Sequence, residues 1–461
     1  MALSLPVPIS AMRAAVDRGD TRPLAWRLEQ LDRLTALIDS CRISLPAALE
    51  ADLGKPDVEG WFEQVAVRQE LRETRRNLRH WMAPRPIPVP ASFRPGRAAL
   101  HPEPLGCVLI IGPWNYPFQL CLHPLVSALA AGNHVVLKPS EHAPHTAALI
   151  AALVAQHFPA EVVQVVQGDG ATAAALLEER FDHIFFTGGA RVGRLVMAAA
   201  ARHLTPVTLE LGGKSPAIVL DDADLAVTAR RLAWGKGLNA GQTCIAPDYL
   251  MVTPKQREPL VAGIAAELQR FHGPDPLNSP DLGRIVNQAQ FDRLETLLAV
   301  ARSRGQVLWG GRSDPAHRRI EPTLIAVEDA ANDPLMQEEL FGPLLPVLTV
   351  PDLDDALHRI RLGPKPLALY LFSRSAIAQR EVLSRTSSGS VGFNDVVMQA
   401  GINRLPFGGV GESGMGNYHG EAGFRTFSHQ RSVLKRPFWL DLPFRYPPYA
   451  GKLPLLQRLL G

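Results

Sequence analysis

The chain has 461 residues, 46% of them hydrophobic and 20% charged, which is an ordinary globular composition. A single core stops growing near ~250–300 residues, so two or more domains are expected. The 48 basic and 45 acidic residues leave a net charge of +3, which gives no reason to expect a nucleic-acid partner.

Cys41, Cys107, Cys121 and Cys244 lie far apart and form no C-x-x-C. In so large a chain this argues against a disulfide framework and against a cysteine zinc site. A reducing, cytoplasmic setting is expected. The N-terminus has no charged start followed by a long apolar run, so no signal peptide is expected. No run of 18 apolar residues occurs, so no transmembrane helix is expected.

In chain order, Leu24, Leu28, Leu31, Leu34, Ile38 and Cys41 recur at steps of three and four and predict a helix with one buried face. WFEQVAVRQELRETRRNLRHW (61–81) predicts a second helix. Its stripe of Arg68, Arg72, Arg75 and Arg79 is read as a solvated face, with an anionic docking site as the alternative. Residues 83–106 are rich in proline, which forbids a helix and fits a linker or extended arm. Apolar strand-length runs then alternate with helical segments: CVLIIG, HVVLKP, VVQVV, HIFFTG and VTLEL. This rhythm predicts a doubly wound α/β unit with a mostly parallel sheet. Such sheets bind ligands beyond the carboxyl ends of their strands. A second α/β unit is expected from about residue 211, with strands PAIVL, YLMVT, LPVLTV, LALYLF and SVGFN.

Cys41, Cys107 and Cys121 sit in apolar segments and are assigned to the core. Cys244 lies in the loop NAGQTCIAPDY (239–249), where it is either reactive or an inert loop thiol. Glu210 ends a strand beside Gly212 and Gly213, a suitable place for a general base, although most glutamates are solvated. In PWNYP (113–117), Pro113 and Pro117 brace Trp114, Asn115 and Tyr116. Asn115 can offer its amide to an oxyanion, or can simply close a turn. Lys138 and Glu141 in LKPSE can bind ribose hydroxyls. Gly188, Gly189 and Gly193 lie between a strand and a helix whose N-terminus can meet a phosphate. Their spacing is not G-x-G-x-x-G. His142 and His145 lack further ligands, and a metal site is rejected.

Taken together, PWNYP, LKPSE, FFTGGARVG, VTLELGGKSP, GQTCIAPDY, EELFGPLLPV, GFND and LPFGGVGESGMG resemble the aldehyde dehydrogenase superfamily. The blocks follow the family's order from about residue 10 to 435. The compact N-terminus, GQTCIAPDY and the ending TFSHQRSVLKR are most similar to class 3, including bacterial aromatic (coniferyl-type) members. The resemblance implies NAD(P)-dependent oxidation of aromatic or medium-chain aldehydes to acids through a cysteine thiohemiacetal and thioester. It implies Cys244 as nucleophile, Glu210 as general base and Asn115 in the oxyanion hole. It places Lys138 and Glu141 on the adenosine ribose, Gly188 and Gly193 in the phosphate loop, Glu339 on the nicotinamide ribose and Phe341 near the nicotinamide. Trp114, Tyr116 and Thr243 flank the reacting atoms and are expected to line an apolar tunnel.

NAD is the expected cofactor, with NADP also accepted, and no metal is needed. The implied architecture is an α/β cofactor domain (1–82 and 107–210, rejoined by about 405–430), an α/β catalytic domain (211–404) and a small β oligomerisation arm (83–106 and 431–445). A homodimer is implied. The rival readings are a CoA-acylating dehydrogenase, a thiol esterase and a non-catalytic binding protein on the same scaffold. The C-terminal apolar run is short, broken and charged, which leaves room only for surface association with a membrane.

Overall fold

The computed structural model describes residues 5–460. The runs CVLII and HVVLK are apolar on both faces, so each strand needs cover above and below. They lie in the middle of a six-stranded sheet. In spatial order its strands are Gly414–Met415, Val207–Leu211, His183–Gly188, Cys107–Ile111, His134–Lys138 and Val163–Val165. All neighbours are parallel except the short Gly414–Met415 strand. Ranked along the chain and read from the far edge, the five parallel strands run 3-2-1-4-5. The order therefore reverses between Cys107–Ile111 and His183–Gly188, where such sheets bind ligands. Asn115, Glu141, Gly189 and Glu210 all lie at or just beyond strand ends on this edge.

Helix Gln119–Ala130 is buried at nearly every position. A helix that is apolar all round belongs in an interior. It packs against the long helix Asp57–Trp81. That helix buries Glu59, Glu63 and Glu70 on its inner face. Its outer arginines pair with helix Leu24–Ser40 and its end: Arg68 with Asp39 at 2.6 Å, and Arg75 with Asp32. The predicted first helical face ends one residue early, at Ser40, and Cys41 just beyond it is buried all the same. Cys107 and Cys121 are buried too.

The second sheet has seven strands. In spatial order they are Val307–Trp309, Thr323–Val327, Leu344–Thr349, Tyr249–Val252, Pro216–Val219, Ala368–Phe372 and Ser390–Phe393. All are parallel except Val307–Trp309. The strand Thr323–Val327 and the helices Leu353–Leu362 and Ala376–Arg385 are not anticipated by the sequence reading.

The proline-rich segment contains two strands. Arg97–Pro104 is the central strand of a three-stranded antiparallel sheet, with Arg85–Ile87 on one side and Ser428–Lys435 on the other. A single 3-10 turn, Ala91–Phe93, interrupts it, so the prolines exclude long helices and not every helical turn.

The short Gly414–Met415 strand closes the sheet beside Glu210, its register partner. Gly414 sits at φ +138°, and a Cβ there would lie 2.1 Å from the Leu209 carbonyl oxygen. Gly414→Ala is expected to part these strands and to cost about 1–3 kcal/mol. Urea denaturation checks this, and an unchanged midpoint contradicts it.

Candidate active site

Helix Leu225–Gly237 ends in a tight turn, Leu238–Gly241. Asn239 and Ala240 there have φ of +50° and +51°. Non-glycine residues avoid this region unless their surroundings hold them. Several buried bonds do so. The Glu59 carboxylate accepts the Asn239 N–H at 3.2 and 3.0 Å. Asn239 Nδ2 donates to the carbonyls of Asn115 (2.8 Å) and Gln242 (3.1 Å). The Gln242 amide bridges the Asn239 and Arg284 carbonyls and the Val286 N–H, each at 3.0 Å. Cys244 follows this clamped turn, half-buried, on a cavity of about 290 Å³.

The PWNYP loop meets this turn from the other side. Asn115 is buried, and its Nδ2 donates to the Gln242 carbonyl at 3.1 Å. Its own carbonyl accepts from Lys55 Nζ at 2.8 Å. Lys55 is paired with Glu63 at 2.7 Å, both side chains fully buried. The other Glu63 oxygen accepts the N–H groups of Phe118 and Gln119, at 3.1 and 3.0 Å, where helix Gln119–Ala130 begins. Lys55 also lies 3.9 Å over the Tyr116 ring, and the Tyr116 hydroxyl bonds Thr243 Oγ1 at 2.7 Å. Tyr116 and Thr243 line the cavity beside Cys244. Trp114 is not among its lining residues. Its ring instead packs edge-on against Phe341, with centroids 5.2 Å apart. Nor is the cavity wholly apolar, because Glu59, His123 and His419 also line it.

Glu210, 2% exposed, lies against the Cys244 thiol. Burial pushes its carboxyl up to about 8, and its Oε1 has no hydrogen-bond partner. Burial also pushes the Cys244 thiol well up, and the charges of Glu210 and Glu339 push it further. Glu339 is raised to about 8 by burial and then by Asp248. Three acidic groups thus share one dry region, and no cation offsets Glu210. Glu339 reaches this place because Gly212 is bare: a Cβ on Gly212 would lie 2.1 Å from Glu339 Oε2.

The remaining candidates lie along the same sheet edge. Lys138 Nζ donates to Glu141 Oε2 at 3.1 Å. Burial alone would raise the Glu141 carboxyl; its own N–H and Lys138 outweigh this and hold it below the usual range. Gly189 caps helix Ala190–Ala201 with no side-chain bond to the first turn, and a Cβ on Gly189 would meet nothing within 4 Å. Gly193 is tight instead: a Cβ there would lie 2.9 Å from Leu211. Gly188 is similarly close to the Phe186 ring, at 2.6 Å.

These features fit a nicotinamide dinucleotide. A ribose calls for a cation and a carboxylate side by side, as Lys138 and Glu141 are; a phosphate calls for an open helix N-terminus, as at Gly189; and the buried Glu210 carboxyl has no cation beside it.

The aldehyde dehydrogenase family model matches residues 7–433. The chain belongs to the aldehyde dehydrogenase family. It is 47% identical to human aldehyde dehydrogenase family 3 member B1, covering 96% of this chain and 94% of the relative. It is 44% identical to the rat dimeric NADP-preferring aldehyde dehydrogenase, covering 98% and 99%. Among solved structures, the substrate-bound Staphylococcus aureus AldH is similar at 39% identity and a TM-score of 0.95, with 98% of each chain covered. The class 3 resemblance read from the sequence is borne out by these relatives.

Sequence reasoning missed the supporting residues of this aldehyde dehydrogenase: Lys55, Glu59, Glu63, Asn239 and Gln242. A signal for two of them exists. Glu59 and Glu63 are four apart and share a helix face with Val67, Leu71 and Leu78. Carboxylates on an apolar helix face need buried partners.

The electrostatics give a directional prediction. Glu210→Gln removes a charge that raises the Cys244 thiol, so more thiolate forms at a given pH. The midpoint of iodoacetamide inactivation against pH is expected to move down. A midpoint that stays or rises contradicts the pairing.

Proposed function

We propose that Cys244, Glu210 and Asn115 are the residues by which this enzyme performs NAD(P)-dependent aldehyde oxidation. The observation that carries the reading is the buried Glu210 carboxyl held against the Cys244 thiol, which opens on the cavity. Cys244 adds as thiolate to the aldehyde carbon, because a thiolate is the strongest nucleophile available there. The thiol proton leaves to water, so Glu210 keeps its carboxylate for the later step. The carbonyl oxygen becomes an oxyanion that Asn115 can receive. One Asn115 amide N–H is held by Gln242, which aims the group and leaves the second free. The Cys244 backbone N–H is the second donor. The bound cofactor supplies the hydride acceptor. The thioester then left on Cys244 is cleaved by water that Glu210 deprotonates.

A carboxyl raised to about 8 suits this task, since it exists near neutrality in both protonation states. Glu210 also separates this reading from the CoA-acylating one, which needs no water-activating base. Neither a thiol esterase nor a binding protein has use for the dinucleotide features along the sheet edge.

Lys138 and Glu141 hold the adenosine ribose, Gly188 and Gly193 shape the phosphate loop, Glu339 meets the nicotinamide ribose and Phe341 packs near the ring. Trp114 supports Phe341, while Tyr116 and Thr243 face the substrate. NAD is the first choice, because the Glu141 carboxylate repels a 2′-phosphate; NADP is accepted as well, as the name of the rat relative suggests. Substrates are aromatic or medium-chain aldehydes. The cofactor domain comprises 1–82, 107–210 and about 405–430, and the catalytic domain 211–404. Segments 83–106 and 431–445 form an oligomerisation arm. The enzyme is a cytoplasmic homodimer; its rat relative is named as dimeric. No helix among the described residues is long and apolar enough to cross a membrane.

Burst kinetics test the roles. Glu210→Gln is expected to release about one equivalent of reduced cofactor per site and then turn over ~10²–10⁴-fold more slowly. Undiminished steady-state turnover overturns the assignment of Glu210.

A further inference from the structure

The arginine stripe of helix Asp57–Trp81 has no part in the oxidation chemistry. At the start of this helix Val58, Trp61, Phe62 and Val65 stand three or four residues apart and share one face. The first three are exposed, Trp61 by 54%, and the Trp61 and Phe62 rings are 5.8 Å apart. Arg68, Arg72, Arg75 and Arg79 continue the same face toward the helix end. Arg68 and Arg75 are paired with Asp39 and Asp32. Arg72, Arg76 and Arg79 are exposed and meet no carboxylate among the described residues. Neither does Arg42, which precedes Ile43, itself 89% exposed.

Space brings the apolar and the cationic groups together. Trp61, Arg42, Arg68 and Arg72 line one surface groove of about 630 Å³. Val65 and Gln69 line both this groove and the cavity of Cys244. Phe62 and Met398 line that cavity while remaining exposed, so they mark where it meets solvent.

Exposed apolar side chains gathered in one patch, rimmed by polar groups, mark an interaction surface. The unpaired arginines select the partner, which presents negative charge and apolar matter together. A second copy set face to face would bring arginine against arginine. A nucleic acid would neutralise the arginines and leave Val58 and Ile43 in water. An anionic lipid bilayer answers both needs. Its phosphates attract arginine, and its headgroup region admits aromatic rings, tryptophan above all.

We propose that this face docks the enzyme on anionic lipid bilayers, with Trp61, Phe62 and Ile43 entering the headgroup region and Arg42, Arg72, Arg76 and Arg79 meeting lipid phosphates. Docking turns the mouth of the Cys244 cavity toward the membrane. The use of that orientation rests on the reading of Cys244 given above: an apolar aldehyde then enters from the bilayer without crossing water.

The test is flotation of the full-length protein with vesicles, in the absence of aldehyde and cofactor. One set is phosphatidylcholine alone, and the other is phosphatidylcholine and phosphatidylglycerol in equal amounts. The wild type is expected to bind the anionic vesicles about tenfold more tightly or better, and to be released by high salt. One arginine at an anionic surface is worth about fivefold in binding. The double variant Arg72→Glu, Arg76→Glu is therefore expected to bind the anionic vesicles at least about tenfold more weakly. Trp61→Ser should weaken binding as well, and quenching of tryptophan fluorescence by brominated acyl chains should fall in Trp61→Phe. Each substituted position is exposed, and oxidation of dissolved benzaldehyde should stay at the wild-type rate. Absence of vesicle binding overturns the proposal, as does equal binding to both lipid sets. Undiminished binding by the arginine and Trp61 variants places the contact elsewhere on the chain and also overturns it. Binding to duplex DNA without binding to vesicles would replace the bilayer by nucleic acid. Failure of the roles given to Cys244 and Glu210 would leave these binding results unchanged.

Discussion

The active site depends on one buried ion pair, Lys55 with Glu63. Two charges taken out of water are stable only when well paired and further hydrogen-bonded. Here the spare capacity of each partner is spent on a functional segment. Lys55 holds the Asn115 carbonyl and faces the Tyr116 ring; Glu63 holds the first N–H groups of the buried helix Gln119–Ala130. Asn115 in turn shares Asn239 and Gln242 with the Cys244 turn. Removing one charge from such a pair costs ~3–5 kcal/mol, because the other is stranded. The pair therefore sets the position of Asn115, the proposed oxyanion donor, relative to Cys244, the proposed nucleophile.

The second constraint is dryness. Cys244, Glu210 and Glu339 are acidic groups brought together in a largely buried region, and burial raises each of them. This arrangement keeps the resting thiol protonated and protected. It also makes the site receptive to positive charge. Gly212 makes the crowding possible, because any side chain there would displace the Glu339 carboxylate. In the proposed mechanism, a cationic cofactor ring and a proton-transfer step make use of this crowding.

Much of this was legible in the sequence, for physical reasons. Strands buried on both faces are continuous apolar runs, so Cys107–Ile111 and His134–Lys138 were readable from five residues each. Their carboxyl ends were then the places to look, and Asn115, Glu141 and Glu210 were found there. The strand Thr323–Val327 was passed over because its four apolar residues after a loop, Leu324 to Val327, are too few to carry a distinctive period. The helices Leu353–Leu362 and Ala376–Arg385 had usable caps, Asp352 and Ser375, which accept the N–H groups of Asp355 and Ala378. The supporting network was hidden for a different reason. Lys55, Asn239 and Gln242 act through contacts between segments distant in sequence, which no local spacing reveals. Trp114 shows the opposite error: adjacency to Asn115 suggested the tunnel, but the ring turns toward Phe341.

The central claim is that Cys244 carries the substrate's acyl group and that Glu210 is needed to release it. Intact-protein and peptide mass spectrometry of Glu210→Gln, quenched after mixing with oxidised cofactor and an aromatic aldehyde, tests both parts together. The account predicts an adduct on Cys244 with the mass of the aldehyde less two hydrogens. An unmodified Cys244, or an adduct on another residue, would contradict it.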